Sequence, residues 1–149
     1  MIWAGIYHDG RTQLKFVQGK LNAVKYRDDI IDPIVLPFPQ QRNFDHAFQH
    51  DNAKSHVARV FQDFLNQYHI RVLSWPALSP DLSLIEHIWD ELGRRFRHRQ
   101  HPPETLQELS DALVHEWNNI PQAFIQQLIG SMRQRCEAVV AARGGHTRF

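Results

Sequence analysis

Two acidic side chains in this sequence have the type and the setting for chemistry on phosphate. Asp51 follows the apolar segment that ends in Phe48-Gln49-His50, and Glu86 lies near the start of a periodic apolar segment. Thirty-four residues, positions 52–85, separate them. A strand-end Asp brought near a helix-borne Glu can hold divalent metal over a phosphodiester. The pair therefore predicts metal-assisted phosphoryl transfer on nucleic acid.

Each carboxylate also has a purely structural interpretation. Ser83-Leu84-Ile85-Glu86 fits a capping box, in which Glu86 bonds back to the backbone of Ser83. Asp51 could likewise cap the turn into the helix that follows it. The local pattern alone gives the catalytic and the structural interpretations equal weight.

The elements that position Asp51 are predicted from apolar spacing and turn residues. Residues 2–7 and 12–17 predict a hairpin joined through His8-Asp9-Gly10-Arg11. Asn22 predicts a helix cap, and Pro33 is expected to kink or end that helix. A strand over 46–50, a helix over 55–68 and a strand over 70–75 predict a parallel crossover unit that delivers Asp51 at a strand end.

The elements that position Glu86 are helical. A helix over about 83–98 has Ile85, Ile88, Trp89, Leu92 and Phe96 on its apolar face. Pro102-Pro103 begins a helical C-terminal portion over 102–149, with a capping box at Thr105 and a last helix that Pro121 opens. Cys136 is expected in the core of that last helix. The fold class is α/β, a mixed sheet flanked by helices in one domain over residues 1–149.

Composition restricts the partners that we expect. The chain has 149 residues and a net charge of +1, which is ordinary for a globular domain. No apolar run approaches the roughly 18 residues of a membrane span, so no membrane is expected. The stretch Arg94-Arg95-Phe96-Arg97-His98-Arg99 contains four arginines. It is compatible with either a solvated helix end or a phosphate-contacting patch.

A set of segments in this chain resembles the catalytic domain of DDE transposases of the Tc/mariner superfamily, on the Tc side. The matching segments follow the family's order: Met1-Ile2-Trp3-Ala4-Gly5-Ile6, Leu21-Asn22-Ala23, Gln49-His50-Asp51-Asn52-Ala53 with His56, Val72-Leu73-Ser74-Trp75-Pro76, Ser79-Pro80-Asp81-Leu82, Ile85-Glu86, Trp117-Asn118-Asn119-Ile120-Pro121, Arg135-Cys136 and Gly144-Gly145-His146-Thr147-Arg148-Phe149. They cover nearly the whole chain. An ordered match of this length is more specific than any single motif.

The resemblance implies a ribonuclease-H-like fold and cut-and-paste DNA transposition. Asp51 would be the second and Glu86 the third member of the catalytic triad, holding two Mg²⁺ or Mn²⁺ ions. The partners implied are transposon-end and target DNA and a second copy of the chain, with no small-molecule substrate, in the nucleus. The candidate nucleic-acid contacts are His50, Lys54, Arg94, Arg95, Arg97 and Arg99.

The sequence departs from the family pattern in two places. Ser83-Leu84 stands where the family usually has Asn-Pro before the Ile-Glu pair. The family's first catalytic Asp lies upstream of the segment matched by Ile2-Trp3-Ala4-Gly5, so we expect an N-terminally truncated domain without its first strand, inactive alone. A non-enzymatic DNA-binding or dimerising relic and an unstable pseudogene product are the alternatives.

Overall fold

The computed structural model describes residues 1–37, 47–77, 79–143, 145 and 147 of the chain. The chain forms two units. The first consists of Met1–Trp3 and Lys15–Leu78, and the second of Ala4–Leu14 and Ser79–Phe149. Each unit combines a short antiparallel strand pair with helices, as the predicted α/β class requires. No helix among the described residues is long and apolar enough to cross a membrane.

The N-terminal segment pairs with itself as predicted, and it supplies strands to both units. Strand β1 (Ile2–Trp3) pairs with β4 (Lys15–Phe16) in the first unit. Strand β2 (Ile6–Tyr7) pairs with β3 (Gly10–Arg11) in the second unit. The register joins Tyr7 to Gly10, so Gly10 and Arg11 are strand residues rather than part of the predicted turn.

The first helix of the first unit begins where Asn22 predicts it. The Asn22 side chain accepts a hydrogen bond from the Lys25 amide at 2.9 Å, and α1 (Ala23–Tyr26) continues into a π-helix (Arg27–Val35). The expectation that the helix could end at Pro33 is wrong, since the helix continues to Val35. In the wider π turn the proline ring escapes the clash with the carbonyl four residues earlier that it would meet in an α-helix.

The segment around Asp51 is a parallel crossover, as predicted, although its strands are short. Phe48 and Val72 form an isolated parallel bridge. The Phe48 amide donates to the Arg71 carbonyl at 2.8 Å, and the Leu73 amide donates to the Phe48 carbonyl at 2.9 Å. Residue 46, the predicted start of the first strand, lies outside the described residues.

Two helices connect the bridged strands where one was predicted. Helix α2 (Lys54–Val57) and helix α3 (Arg59–Gln67) are separated at Ala58, whose ψ of 139° is extended. Helix α2 is the element nearest in sequence to Asp51. The break therefore gives this short helix an orientation independent of α3.

Among the described residues, the second unit has four α-helices and a short 3-10 helix (Pro80–Leu82) beside its strand pair. The α-helices are α4 (Leu84–Arg97), α5 (Leu106–Asn118), α6 (Gln122–Gly130) and α7 (Met132–Ala141). The Thr105 hydroxyl accepts from the Glu108 amide at 3.1 Å, which confirms that helix start. The prediction of a single last helix opened by Pro121 was wrong, because Ser131 separates α6 from α7. Cys136 is exposed, so its assignment to the core was also wrong.

The β2–β3 pair closes over the end of α5. The Arg11 guanidinium donates to the carbonyls of Trp117, at 2.6 Å, and Ile120. The Trp117 indole donates to the Thr12 carbonyl at 2.9 Å. Trp117 lies in the last turn of α5, where carbonyls have no amide four residues later within the helix, and its carbonyl also accepts from the Ile120 amide at 3.3 Å. The arginine adds a charged donor at this helix end.

Each unit has its own apolar core. In the first unit Tyr26, Ile30, Ile31, Phe61 and Leu65 are buried, with Val17 beside them. In the second unit the buried apolar residues are Ala4, Leu14, Leu82, Ile88, Leu92, Ala112, Trp117, Ile120 and Ile125. Trp89 stacks on Trp117 with ring centroids 5.6 Å apart, which confirms a packing role for both.

We predict that Leu92→Ala lowers the free energy of unfolding by about 2–5 kcal/mol, because Leu92 is 2% exposed and its loss leaves a cavity. The control is Leu106→Ala, the same substitution at a side chain that is 85% exposed, with a change within about 0.5 kcal/mol. Urea unfolding followed by circular dichroism measures both. Equal losses for the two variants would contradict the packing of α4.

Candidate active site

Asp51 is held by one of its two carboxylate oxygens. Its Oδ1 accepts a hydrogen bond from the Ala53 amide at 3.0 Å and another from His56 Nδ1 at 2.6 Å. The Oδ2 atom has no hydrogen-bond partner among the described residues, and the Asp51 side chain is 65% exposed. The bond to Ala53 steadies the turn into α2, so part of the structural interpretation holds. The second oxygen is nevertheless free to bind a ligand.

The partner of Asp51, His56, is fixed by aromatic stacking. Its ring stacks on Tyr26 with centroids 4.1 Å apart and an interplanar angle of 29°, and on His50 at 4.9 Å and 27°. Tyr26 itself is buried against Phe61 at 4.9 Å. The geometry around Asp51 is therefore set by the core of the first unit.

His50 lies in the same aromatic cluster rather than in solvent. Its ring packs against Phe48 at 4.9 Å and Phe61 at 5.7 Å. Its Nδ1 atom is buried and has no hydrogen-bond partner within the described part of the chain. Burial and, to a smaller extent, the neighbouring His56 lower the pKa of His50, Asp51 opposes both effects, and the resulting pKa is about 4. His50 is thus neutral near pH 7.

Glu86 occupies the first turn of α4 in the second unit. Its amide donates to the Ser83 carbonyl at 3.1 Å, but the Ser83 side chain makes no capping hydrogen bond. The capping box considered from the sequence is therefore not formed. The Glu86 side chain is exposed and makes no hydrogen bond or ion pair with another described residue. Its carboxylate stands at the positive end of the helix dipole, free to bind a cation.

A buried arginine from α7 fixes the chain just before and after Glu86. Arg135 is 4% exposed, and its Nη1 donates to the Asp81 carbonyl at 2.8 Å and to His87 Nε2 at 2.7 Å. Burial and the neighbouring Arg135 both lower the pKa of His87, which must stay neutral to accept this bond. Thr147 also donates to the Asp81 carboxylate, through its hydroxyl at 2.7 Å. The start of α4 is thereby joined to the C-terminal helix.

The four arginines near the end of α4 differ in how far they are paired. Glu91 accepts from Arg94 and from Arg95, each at a shortest distance of 2.6 Å. Burial alone would raise the pKa of Glu91, but these two hydrogen bonds hold it below its ordinary value. Arg99 pairs with Glu116 at 2.7 Å. Arg97 is exposed and makes no ion pair with the residues described.

The candidate residues are thus distributed over both units. His50, Asp51 and Lys54 belong to the first unit, and Glu86 and the arginines belong to the second. Lys54 is exposed and makes no ion pair among the residues that the structure describes. Within the described part of the chain, Arg97 and Lys54 are the cationic members of the predicted nucleic-acid set that make no ion pair.

Comparison with known proteins identifies the family. The model of the family described as DDE superfamily endonuclease matches residues 1–110, which is more than half of the chain. This chain belongs to the DDE superfamily of endonucleases. The Tc1 transposase of Caenorhabditis elegans is 31% identical over 154 residues, and the match covers all of this chain and 54% of the relative. The Tc3 transposase of the same organism is 28% identical, with 45% of its length covered.

Solved structures confirm the predicted fold of this DDE-superfamily chain. The crystal structure of the catalytic domain of Mos1 mariner transposase has a TM-score of 0.85 at 23% identity, covering 99% of this chain and 75% of that one. A structure of the same domain with raltegravir and Mg has a TM-score of 0.86. The fold is therefore ribonuclease-H-like. The chain spans about half the length of the curated relatives that it matches.

Sequence reasoning missed the roles of two residues at this site. His56 was noticed only as part of the matching segment, and its bond to Asp51 was not predicted. Arg135 was likewise noticed only as a match. The signal for His56 was its position five residues after Asp51 at the start of a helix. A buried arginine on a helical apolar face has no comparable local signal.

We predict that His50→Phe makes the stability of this DDE-superfamily chain less sensitive to acid. The folded pKa of His50 is about 4, below the ordinary value of 6.5, so the unfolded state binds more protons. The contribution of His50 is therefore complete above about pH 6.5 and is lost as the pH falls toward 4. The phenylalanine variant has no group to protonate at this position, so it should avoid roughly 2–3 kcal/mol of that loss.

Urea unfolding of both proteins at pH 7, 5.5 and 4.5 measures this difference. The neutral His87 is present in both chains, so the difference between the two profiles isolates His50. Parallel profiles would show that His50 is protonated at no cost in the folded state.

Proposed function

We propose that this chain is the catalytic part of a cut-and-paste DNA transposase, which cleaves DNA strands and joins them to a target with the help of Mg²⁺ or Mn²⁺. The observation that carries the proposal is the Asp51 carboxylate, which has one oxygen fixed by two donors and the other free. The similarity to the Tc1 transposase supports the same assignment.

The donors present suit a hard divalent cation. Asp51 Oδ2 and the Glu86 carboxylate are exposed oxygen ligands of the kind that Mg²⁺ binds, usually one or two at a time with substrate phosphates completing its coordination. Among the described residues no three His, Cys, Asp or Glu side chains form a metal-holding group by themselves. We propose that Asp51 and Glu86 are each a ligand to a divalent cation whose coordination the DNA phosphate completes.

The bound ions would supply an activated water or 3′-hydroxyl and a stabilised leaving oxygen in an in-line displacement at phosphorus. The two side chains differ in what they contribute. Asp51 is oriented in advance by its two hydrogen bonds. Glu86 places a negative charge on a helix whose start is fixed by Arg135. Neither residue forms a covalent intermediate, so no nucleophilic Ser or Cys is required.

DNA is the partner that this proposal requires. A Mos1 strand transfer complex has a TM-score of 0.74 to this chain at 26% identity, and a Mos1 paired-end complex with Mn has a TM-score of 0.82. By analogy we propose that this chain binds transposon-end and target DNA, pairs with a second copy and acts in the nucleus. Residues 1–149 would form the catalytic domain, with 102–149 as its helical portion.

We predict that Asp51→Asn and Glu86→Gln each weaken Mn²⁺ binding by at least about tenfold. Each substitution removes a negative ligand while keeping the shape of the side chain. Mn²⁺ binding is measured by electron paramagnetic resonance. Because the chain is expected to be inactive alone, metal binding rather than DNA nicking is the readout.

Matched controls are Asp63→Asn and Glu137→Gln, which remove exposed carboxylates that pair only with Arg59 and Arg133 on their own helices. Both controls should bind Mn²⁺ as the unmodified chain does. If the Mn²⁺ affinity of Asp51→Asn and Glu86→Gln also equalled that of the unmodified chain, Asp51 and Glu86 would not be metal ligands.

We also predict that Arg97→Gln reduces the salt dependence of DNA binding. Loss of one phosphate contact lowers the slope of log affinity against log salt by about one, without changing thermal stability. The control is Arg133→Gln, which removes an exposed arginine that pairs with Glu137 at 2.9 Å on α7. Fluorescence anisotropy between about 50 and 200 mM salt measures the slope. An unchanged slope for Arg97→Gln would remove this arginine from the DNA surface.

A further inference from the structure

The strongest side-chain hydrogen bond at Asp51 comes from a residue with no assigned role. His56 Nδ1 lies 2.6 Å from Asp51 Oδ1 and 3.3 Å from the Asp51 carbonyl oxygen. An ionised carboxylate can only accept, so the His56 ring carries its proton on Nδ1 and donates it to Asp51. A hydrogen bond to a charged acceptor is short and about twice as strong as a neutral one.

The direction of this donor is fixed by the core of the first unit. The His56 side chain is 14% exposed, and its ring lies at 29° to the buried ring of Tyr26. The ring of His50 stacks on the His56 ring with centroids 4.9 Å apart. The two stacked rings fix the plane of the His56 ring. Within that plane, the hydrogen bond to Asp51 Oδ1 selects the rotamer that places Nδ1, rather than Cδ2, toward the carboxylate.

These contacts determine which of the two carboxylate oxygens of Asp51 remains free. With Oδ1 held by His56 and by the Ala53 amide, Asp51 presents Oδ2 to solvent. A ligand oriented before the cation arrives loses less side-chain freedom on binding. Groups that orient a metal ligand in this manner typically change metal affinity by about 10–100-fold when they are removed.

We propose that His56 is a positioning residue that holds Asp51 in its metal-binding orientation, with the Tyr26 ring as the support for His56. This inference rests on the proposed function, because it gives Asp51 the role of metal ligand. It goes further by assigning the orientation of that ligand to a side chain that binds neither metal nor DNA.

Two substitutions separate the donor from the ring. His56→Phe keeps a ring that can stack on Tyr26 but removes the donor. His56→Asn removes the ring but places an amide donor close to the former position of Nδ1. For a positioning role, His56→Phe should weaken Mn²⁺ binding by about 10–100-fold, whereas His56→Asn should stay within about threefold of the unmodified chain.

The experiment measures the Mn²⁺ dissociation constant by electron paramagnetic resonance and the thermal midpoint by circular dichroism, on the 149-residue chain. His56→Asn should lower the midpoint more than His56→Phe does, because it loses the stacking contacts. A purely structural role would make the Mn²⁺ affinity follow the midpoint, with Asn the weaker binder, and that result would overturn the inference. If His56→Phe does not fold, His56→Asn decides alone, since tenfold weaker binding by this variant would also overturn it.

Asp51→Asn in the same assay separates the two proposals. Loss of Mn²⁺ binding in Asp51→Asn together with unchanged binding in His56→Phe overturns only the role of His56. Unchanged binding in Asp51→Asn, or no binding by the unmodified chain, overturns the metal site and the role of His56 with it.

Discussion

The buried ring of Tyr26 is the contact on which the arrangement around Asp51 depends. The residue ends α1, lies against Phe61 of α3 and carries the stacked ring of His56 from α2. Burial raises the pKa of the Tyr26 hydroxyl, so this side chain stays neutral as a core residue should. The core is therefore connected to an exposed carboxylate through the stacked ring of His56. A change in packing at Tyr26 would alter the position of the Asp51 side chain, even with no substitution among the residues next to Asp51 in sequence.

The second unit supports its carboxylate in a different way. Glu86 has no aromatic support, and its helix is instead held at its start by the buried charge of Arg135. Removing one partner from a buried charged network is far more disruptive than losing an exposed pair, because the remaining polar groups stay without partners. The two candidate ligands thus depend on separate interactions, aromatic stacking for Asp51 and hydrogen bonds from a buried arginine for Glu86.

Local signals predicted the parts of the fold that local interactions form. The hairpin, the Asn22 cap, the Thr105 helix start and the parallel crossover were correct because each follows from neighbouring residues. The π-helix through Pro33, the breaks at Ala58 and Ser131 and the exposure of Cys136 depend on contacts made after the chain has folded. At the site, sequence pattern and family resemblance selected Asp51 and Glu86. They could not give the role of His56, because a stacking contact with Tyr26 spans thirty residues of sequence.

The hydrogen bonds of Arg11 have a consequence for how the chain folds during synthesis. This arginine and its acceptor at Trp117 are 106 residues apart, and Gln122 bonds back to the carbonyl of His8 across 114 residues. When the β2–β3 pair leaves the ribosome, the helix end that it covers has not yet been translated. Contacts between distant parts of a chain form slowly because a large loop must close first. The β2–β3 pair therefore lacks these hydrogen-bond partners until α5 and α6 have been translated. The second unit can complete its fold only when nearly the whole chain has been synthesised.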